Sequence, residues 1–157
     1  MKKFLILYYL ILAPVITQTV IYHKDDQNQI NGYLALPENI DQNIPGIILI
    51  HEWWGLNDDI RKKADYFASQ GYAALAVDLY NGENTVEPVK ARKLAGNVRN
   101  NMDEAFTNLK AALEYLKRQP GINSQKLASI GWCFGGGWSY QLARNNLSVK
   151  ASVIYYG

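Results

Sequence analysis

A chain of 157 residues suits one domain with a core of its own, and 48% apolar against 19% charged residues excludes an intrinsically disordered segment. The net charge is +2, Lys2 and Lys3 lie at the extreme N-terminus, and there is no basic stripe or run of like charges, which excludes an electrostatic nucleic-acid partner. The single cysteine, Cys133, excludes an intrachain disulfide and a cysteine-based zinc site, leaving it as a nucleophile or a core thiol.

Met1-Lys2-Lys3 leads into an apolar run from Phe4 to Ile16, broken only by Pro14, which has the form of a secretory signal. At 1.5 Å per residue that run spans roughly 20 Å, short of the ~30 Å hydrocarbon core, so no stable membrane span is expected. Residues 1–18 are therefore read as a signal peptide or apolar leader, with a weak cleavage signal at Thr17-Gln18-Thr19. Export to the periplasm or medium is the expectation, cytoplasmic residence the alternative, and residues 19–157 form the domain.

Two short strands, Thr19–His23 and Gln29–Leu36, flank a polar turn. Gly46–Ile50 is apolar without alternation, as in a parallel strand buried on both faces. Gly55–Asp59 is a loop whose acids can cap a helix carrying Ile60, Ala64, Phe67 and Ala68, which Gly71 ends. Tyr72–Val77 is a second buried strand. Pro88 opens a helix with Val89, Leu94 and Val98, and Ala105, Leu109, Ala112, Leu113 and Leu116 mark another. Lys126–Gly131, a helix over Gly135–Asn145 and a strand over Val149–Tyr156 complete the pattern. Strands alternating with helices predict an α/β fold with a mostly parallel sheet flanked by helices.

Gly131-Trp132-Cys133-Phe134-Gly135-Gly136-Gly137 follows a predicted strand and opens a predicted helix, the setting of a nucleophile elbow with cysteine in place of serine. Such a turn is strained, so Gly131, Gly135 and Gly136 supply the small neighbours it needs. The helix N-terminus behind Cys133 offers its positive end to a thiolate, and the Phe134 amide points where an oxyanion forms. A glycine-rich turn around an inert thiol and a phosphate-binding loop are the competing interpretations; the latter lacks Gly-x-Gly-x-x-Gly spacing. A second cluster, His51-Glu52-Trp53-Trp54-Gly55, sits at the C-terminal end of a buried strand, where open α/β sheets bind ligands. Trp53 is the candidate for the other oxyanion amide, and Glu52 can accept a thiol proton. Taken alone, a solvated loop acid and packing tryptophans explain the same residues.

Ile50–Asn57, Gly71-Tyr72-Ala73-Ala74 with Val77-Asp78-Leu79-Tyr80, the Gly131–Gly136 elbow and Tyr155-Tyr156-Gly157 together resemble, in the same order, the dienelactone hydrolase (carboxymethylenebutenolidase) family. The resemblance implies an eight-stranded α/β-hydrolase fold, Cys133 as nucleophile, Glu52 as the acid that holds or relays its proton, a small-molecule ester or lactone substrate, and no cofactor or metal. It says nothing of oligomeric state. It also implies an aspartate and a histidine downstream of the Tyr-Tyr-Gly segment, whereas no acid or histidine follows Cys133 here. The chain is accordingly read as C-terminally truncated, with little or no turnover expected of it as given. A non-catalytic binding module and an inactive truncated product are the alternatives. The family's carboxylate-binding arginine follows the Asp-Leu-Tyr segment, where this chain reads Asn81-Gly82-Glu83, so a muconate-like dienelactone is not the expected substrate.

Overall fold

A computed structural model describes residues 13–24, 29–40 and 43–157. Among the described residues six strands form one sheet in the order β1-β2-β4-β3-β5-β6, against the eight that the resemblance implies. β1 (Val15–Lys24) and β2 (Gln29–Pro37) make an antiparallel hairpin, and β2 joins β4 (Ala73–Val77) antiparallel. β4, β3 (Ile44–Ile50), β5 (Ile122–Trp132) and β6 (Ala151–Tyr155) run parallel. The expected mostly parallel α/β sheet is thus observed. Residues 1–12 of the expected leader lie outside the described residues, and β1 starts at Val15, paired with Pro37. No helix among the described residues is long and apolar enough to cross a membrane.

The continuous apolar run of β3 is explained by helices on both faces. Ile48 and Ile50 face one core with residues of α2 (Pro88–Asn100), α3 (Met102–Lys117) and α4 (Phe134–Arg144). Ile47 and Leu49 face the other, with Ile60, Ala64 and Ala68 of α1 (Asp58–Ser69). Asn57, rather than either aspartate, caps α1, its side chain accepting from the Ile60 N–H at 3.2 Å, while Asp58 and Asp59 occupy the first turn.

β1, β3 and β5 all start earlier than the apolar pattern predicts, at Val15 rather than Thr19, Ile44 rather than Gly46 and Ile122 rather than Lys126. β5 does so because Ile122 pairs with Ile44, although the intervening Ser124, Gln125 and Lys126 are exposed. The Asn43 and Ile44 N–H groups both donate to the Gly121 carbonyl at 2.9 Å, fixing that end of the pair. From β3 the chain crosses by α1 to β4 on one side, then returns by α2 and α3 to β5 on the other. The strand order therefore reverses beside β3, and the crevice opens at the C-terminal ends of β3, β4 and β5.

Candidate active site

Cys133 sits between β5 and α4 with φ 53° and ψ −117°, a conformation that non-glycine residues rarely hold and that persists only when its surroundings enforce it. Those surroundings are backbone. A Cβ on Gly131 would overlap the Gly135 carbonyl, and one on Gly135 would overlap the Ile50 carbonyl and lie 2.5 Å from that of His51. Gly136 is tighter than most side chains tolerate, its Cβ position lying 3.0 Å from the Tyr155 carbonyl, while Gly137 faces open space. The Cys133 N–H donates to the Tyr155 carbonyl at 2.9 Å, tying the elbow to β6. Cys133 is part-exposed and lines a cleft of about 360 Å³ with Arg99, Met102, Phe134, Trp138 and Tyr156.

Phe134 is the first residue of α4, so its N–H has no acceptor within the helix. The Trp53 N–H likewise meets no acceptor among the described residues. Trp53 lies in the loop after β3, held by several bonds. Gly55 (φ 89°) donates its N–H to the Glu52 carbonyl at 3.2 Å, the Tyr80 hydroxyl donates to the Trp53 carbonyl at 3.1 Å, and the Thr85 N–H donates to the Trp54 carbonyl at 3.0 Å. Glu52 is half-buried, and Tyr156 donates its hydroxyl to Glu52 Oε1 at 3.0 Å. That bond holds the Tyr156 phenol above its ordinary pKa, since ionising it would oppose the carboxylate, and the Cys133 charge adds to the effect.

His51 is fully buried, its ring packed 4.6 Å from Tyr80 and 5.8 Å from Phe134. The Leu79 N–H donates to its Nε2 at 3.1 Å, so Nε2 carries no proton. Nδ1 does, and donates to the Glu52 carbonyl at 2.6 Å. Burial pushes the imidazole pKa below its ordinary value, more than the Glu52 carbonyl and the nearby Asp78 charge raise it. Asp78 Oδ1 lies 4.0 Å from Nε2, but with Nε2 accepting there is no ion pair. The Asp78 carboxylate instead accepts the N–H groups of Tyr80 at 2.8 Å and Gly82 at 2.5 Å. His51 therefore has no free nitrogen to act as a base.

Arg99, at the end of α2, was not anticipated from the sequence. Its guanidinium lies 5.5 Å from the Phe134 ring centroid, on the wall of the Cys133 cleft, with no acid paired to it among the described residues. The available signal was helical spacing: Arg99 lies four residues after Ala95 and so continues the stripe of Ala91, Leu94 and Ala95. Tyr80 is buried against His51 and Phe134, and desolvation raises its pKa far above the ordinary phenol value. Among the described residues no group of three or more His, Cys, Asp or Glu side chains could hold a metal ion.

The model of the dienelactone hydrolase family matches residues 30–157. The chain is 35% identical over 134 residues to Protein usf of Aquifex pyrophilus, covering 82% of this chain and 57% of that protein. It is 29% identical over 120 residues to the carboxymethylenebutenolidase of Pseudomonas putida, covering 72% of this chain and 50% of that one. Among solved structures, a dienelactone hydrolase-like promiscuous phosphotriesterase from metagenomic libraries superposes with a TM-score of 0.77 at 27% identity, covering 86% of this chain and 56% of that one. The chain thus spans between half and three-fifths of the length of these relatives. With the match running through β2, the Glu52 loop and the elbow to Gly157, the chain belongs to the dienelactone hydrolase family.

Proposed function

We propose that this chain carries the nucleophile half of a thiol hydrolase acting on esters or lactones. The observation that carries the reading is the strained backbone of Cys133, forced by Gly131 and Gly135, at the floor of a cleft. Strain of that kind serves to present a side chain, and an inert core thiol needs none. Cys133 attacks the carbonyl carbon, Glu52 takes the thiol proton, and the Phe134 and Trp53 N–H groups receive the oxyanion. Arg99 supplies a cation to the same cleft, which favours a substrate with an anionic group beside its ester. An anionic substrate is thereby favoured even though the Asn81-Gly82-Glu83 segment directly after Asp78-Leu79-Tyr80 holds no arginine.

Deacylation needs a base to activate water, and removing a triad member costs ~10⁴-fold in related arrangements. No histidine or acid follows Cys133 in these 157 residues, and His51 has both nitrogens engaged. The expected behaviour of this polypeptide is therefore one acyl group per chain with slow release. Mass spectrometry after exposure to p-nitrophenyl acetate tests it: a single adduct on Cys133, absent from Cys133→Ala, supports the reading. Equal labelling of Cys133→Ala, or no adduct on the native chain, sinks it.

A further inference from the structure

The peptide unit joining Glu52 and Trp53 has its carbonyl oxygen held by two donors, His51 Nδ1–H at 2.6 Å and the Gly55 N–H at 3.2 Å. In a planar trans peptide the C=O and N–H bonds point in opposite directions, so fixing one aims the other. The N–H so aimed belongs to Trp53 and meets no acceptor among the described residues. The His51 ring cannot turn to release it. It is fully buried, packed against Tyr80 and Phe134, and locked in one tautomer by the Leu79 N–H at 3.1 Å.

We propose that His51 is the positioning residue of the oxyanion site: holding the Glu52 carbonyl, it aims the Trp53 N–H at the oxygen of a carbonyl attacked by Cys133. This rests on the thiol-hydrolase reading. His51 touches neither substrate nor thiol and takes no proton. When sulfur bonds to the carbonyl carbon, the C=O π pair moves onto oxygen, and a donor already aimed there stabilises the charge without reorganising. The tetrahedral adduct then collapses: the oxyanion pair re-forms C=O, and the ester C–O bond breaks, its σ pair leaving with the alkoxide or phenolate. The thiol proton goes to Glu52 or solvent.

Two reactions of Cys133, the chain's single cysteine, separate aim from folding. Acylation by p-nitrophenyl acetate passes through an oxyanion; alkylation by iodoacetamide does not. His51→Phe keeps the ring's bulk and loses both hydrogen bonds, whereas His51→Asn keeps a donor near the Nδ1 position. Removing an oxyanion donor costs ~10²–10³, so His51→Phe is expected to slow acylation about 100-fold with alkylation within about twofold of native, and His51→Asn to stay within about tenfold in both. Parallel slowing of both reactions in His51→Phe, or unchanged acylation, overturns the proposal. If His51→Phe does not fold, His51→Asn decides alone: a native ratio of acylation to alkylation supports the proposal, and a ratio down about 100-fold overturns it. Failure of the native chain to acylate, while iodoacetamide still labels it, overturns the hydrolase reading itself and this inference with it.

Discussion

β4 and β6 are both five-residue apolar parallel strands, Ala-Ala-Leu-Ala-Val and Ala-Ser-Val-Ile-Tyr, and their surroundings are opposite. Every residue of β4 is fully buried between β2 and β3. β6 lies at the sheet edge, where Val153, Ile154 and Tyr155 are 41%, 44% and 48% exposed. Apolar composition makes a strand, but neighbours on both edges and both faces make a core. The elbow depends on both kinds of strand, because β3 presses on Gly135 while β6 holds the Cys133 N–H.

Leu75→Ala in β4 and Gly135→Ala at the elbow are the strongest ways to break this comparison. Leu75→Ala opens a cavity on a side chain with no exposure and is expected to cost about 2–5 kcal/mol in chemical denaturation, whereas Ile154→Ala in β6 costs under about 1. Equal losses would mean that β6 is covered as β4 is. Gly135→Ala adds a methyl against the backbone carbonyls of Ile50 and His51, which cannot swing away as a side chain can. A loss of about 3 kcal/mol or more is expected, at the upper end for overpacking.

The pH dependence of stability comes next in size. Burial lowers the folded-state pKa of His51, so below about 6.5 the unfolded chain binds a proton that the folded chain does not. Stability contributed by the neutral ring is complete above about pH 6.5 and lost as pH falls below it, by up to about 1.4 kcal/mol per unit. Denaturation midpoints between about pH 5 and 6.5, before carboxylates dominate, should fall with a steeper slope in the native chain than in His51→Phe. A slope unchanged by the substitution would place the ring's charge change outside folding.

The sequence carries much of the site, and the reasons for the gaps are geometric. The β3 run, the Gly131–Gly135 elbow and the Glu52 loop are local patterns, and local patterns can be read. Tyr156 reaches Glu52 from 104 positions away, and Arg99 enters the cleft only because α2 packs into the same core as Phe134 and Trp138 of α4. The fixed tautomer of His51 depends on Leu79, in another loop altogether. The front of β5 was hidden for a different reason: its exposed Ser124, Gln125 and Lys126 carry no apolar signal, and only pairing with β3 reveals a strand.

Ile154→Lys sharpens the contrast from the weak side. A charge on an exposed edge opposes edge-to-edge pairing, so light scattering should fall while stability changes by less than about 0.5 kcal/mol. A large loss of stability would show that the edge is covered in solution.

The smallest effect is expected from Tyr156→Phe. Tyr156 is exposed, and its hydroxyl ties the residue after β6 to Glu52, the proposed proton acceptor. Removing it leaves the elbow, the Cys133 N–H bond to the Tyr155 carbonyl and the His51 network in place. Stability should therefore not change measurably, but Glu52 loses the side-chain partner that holds its carboxylate in place. An exposed polar contact orders its partners only weakly, so Cys133 acylation should slow by roughly two- to fivefold. Iodoacetamide labelling should slow equally, because both reactions begin with the same thiol proton, in contrast to the split expected of His51→Phe. A fall in acylation alone would mean that Tyr156 acts on the oxyanion rather than on Glu52, and would assign the phenol to the substrate instead of the proton path.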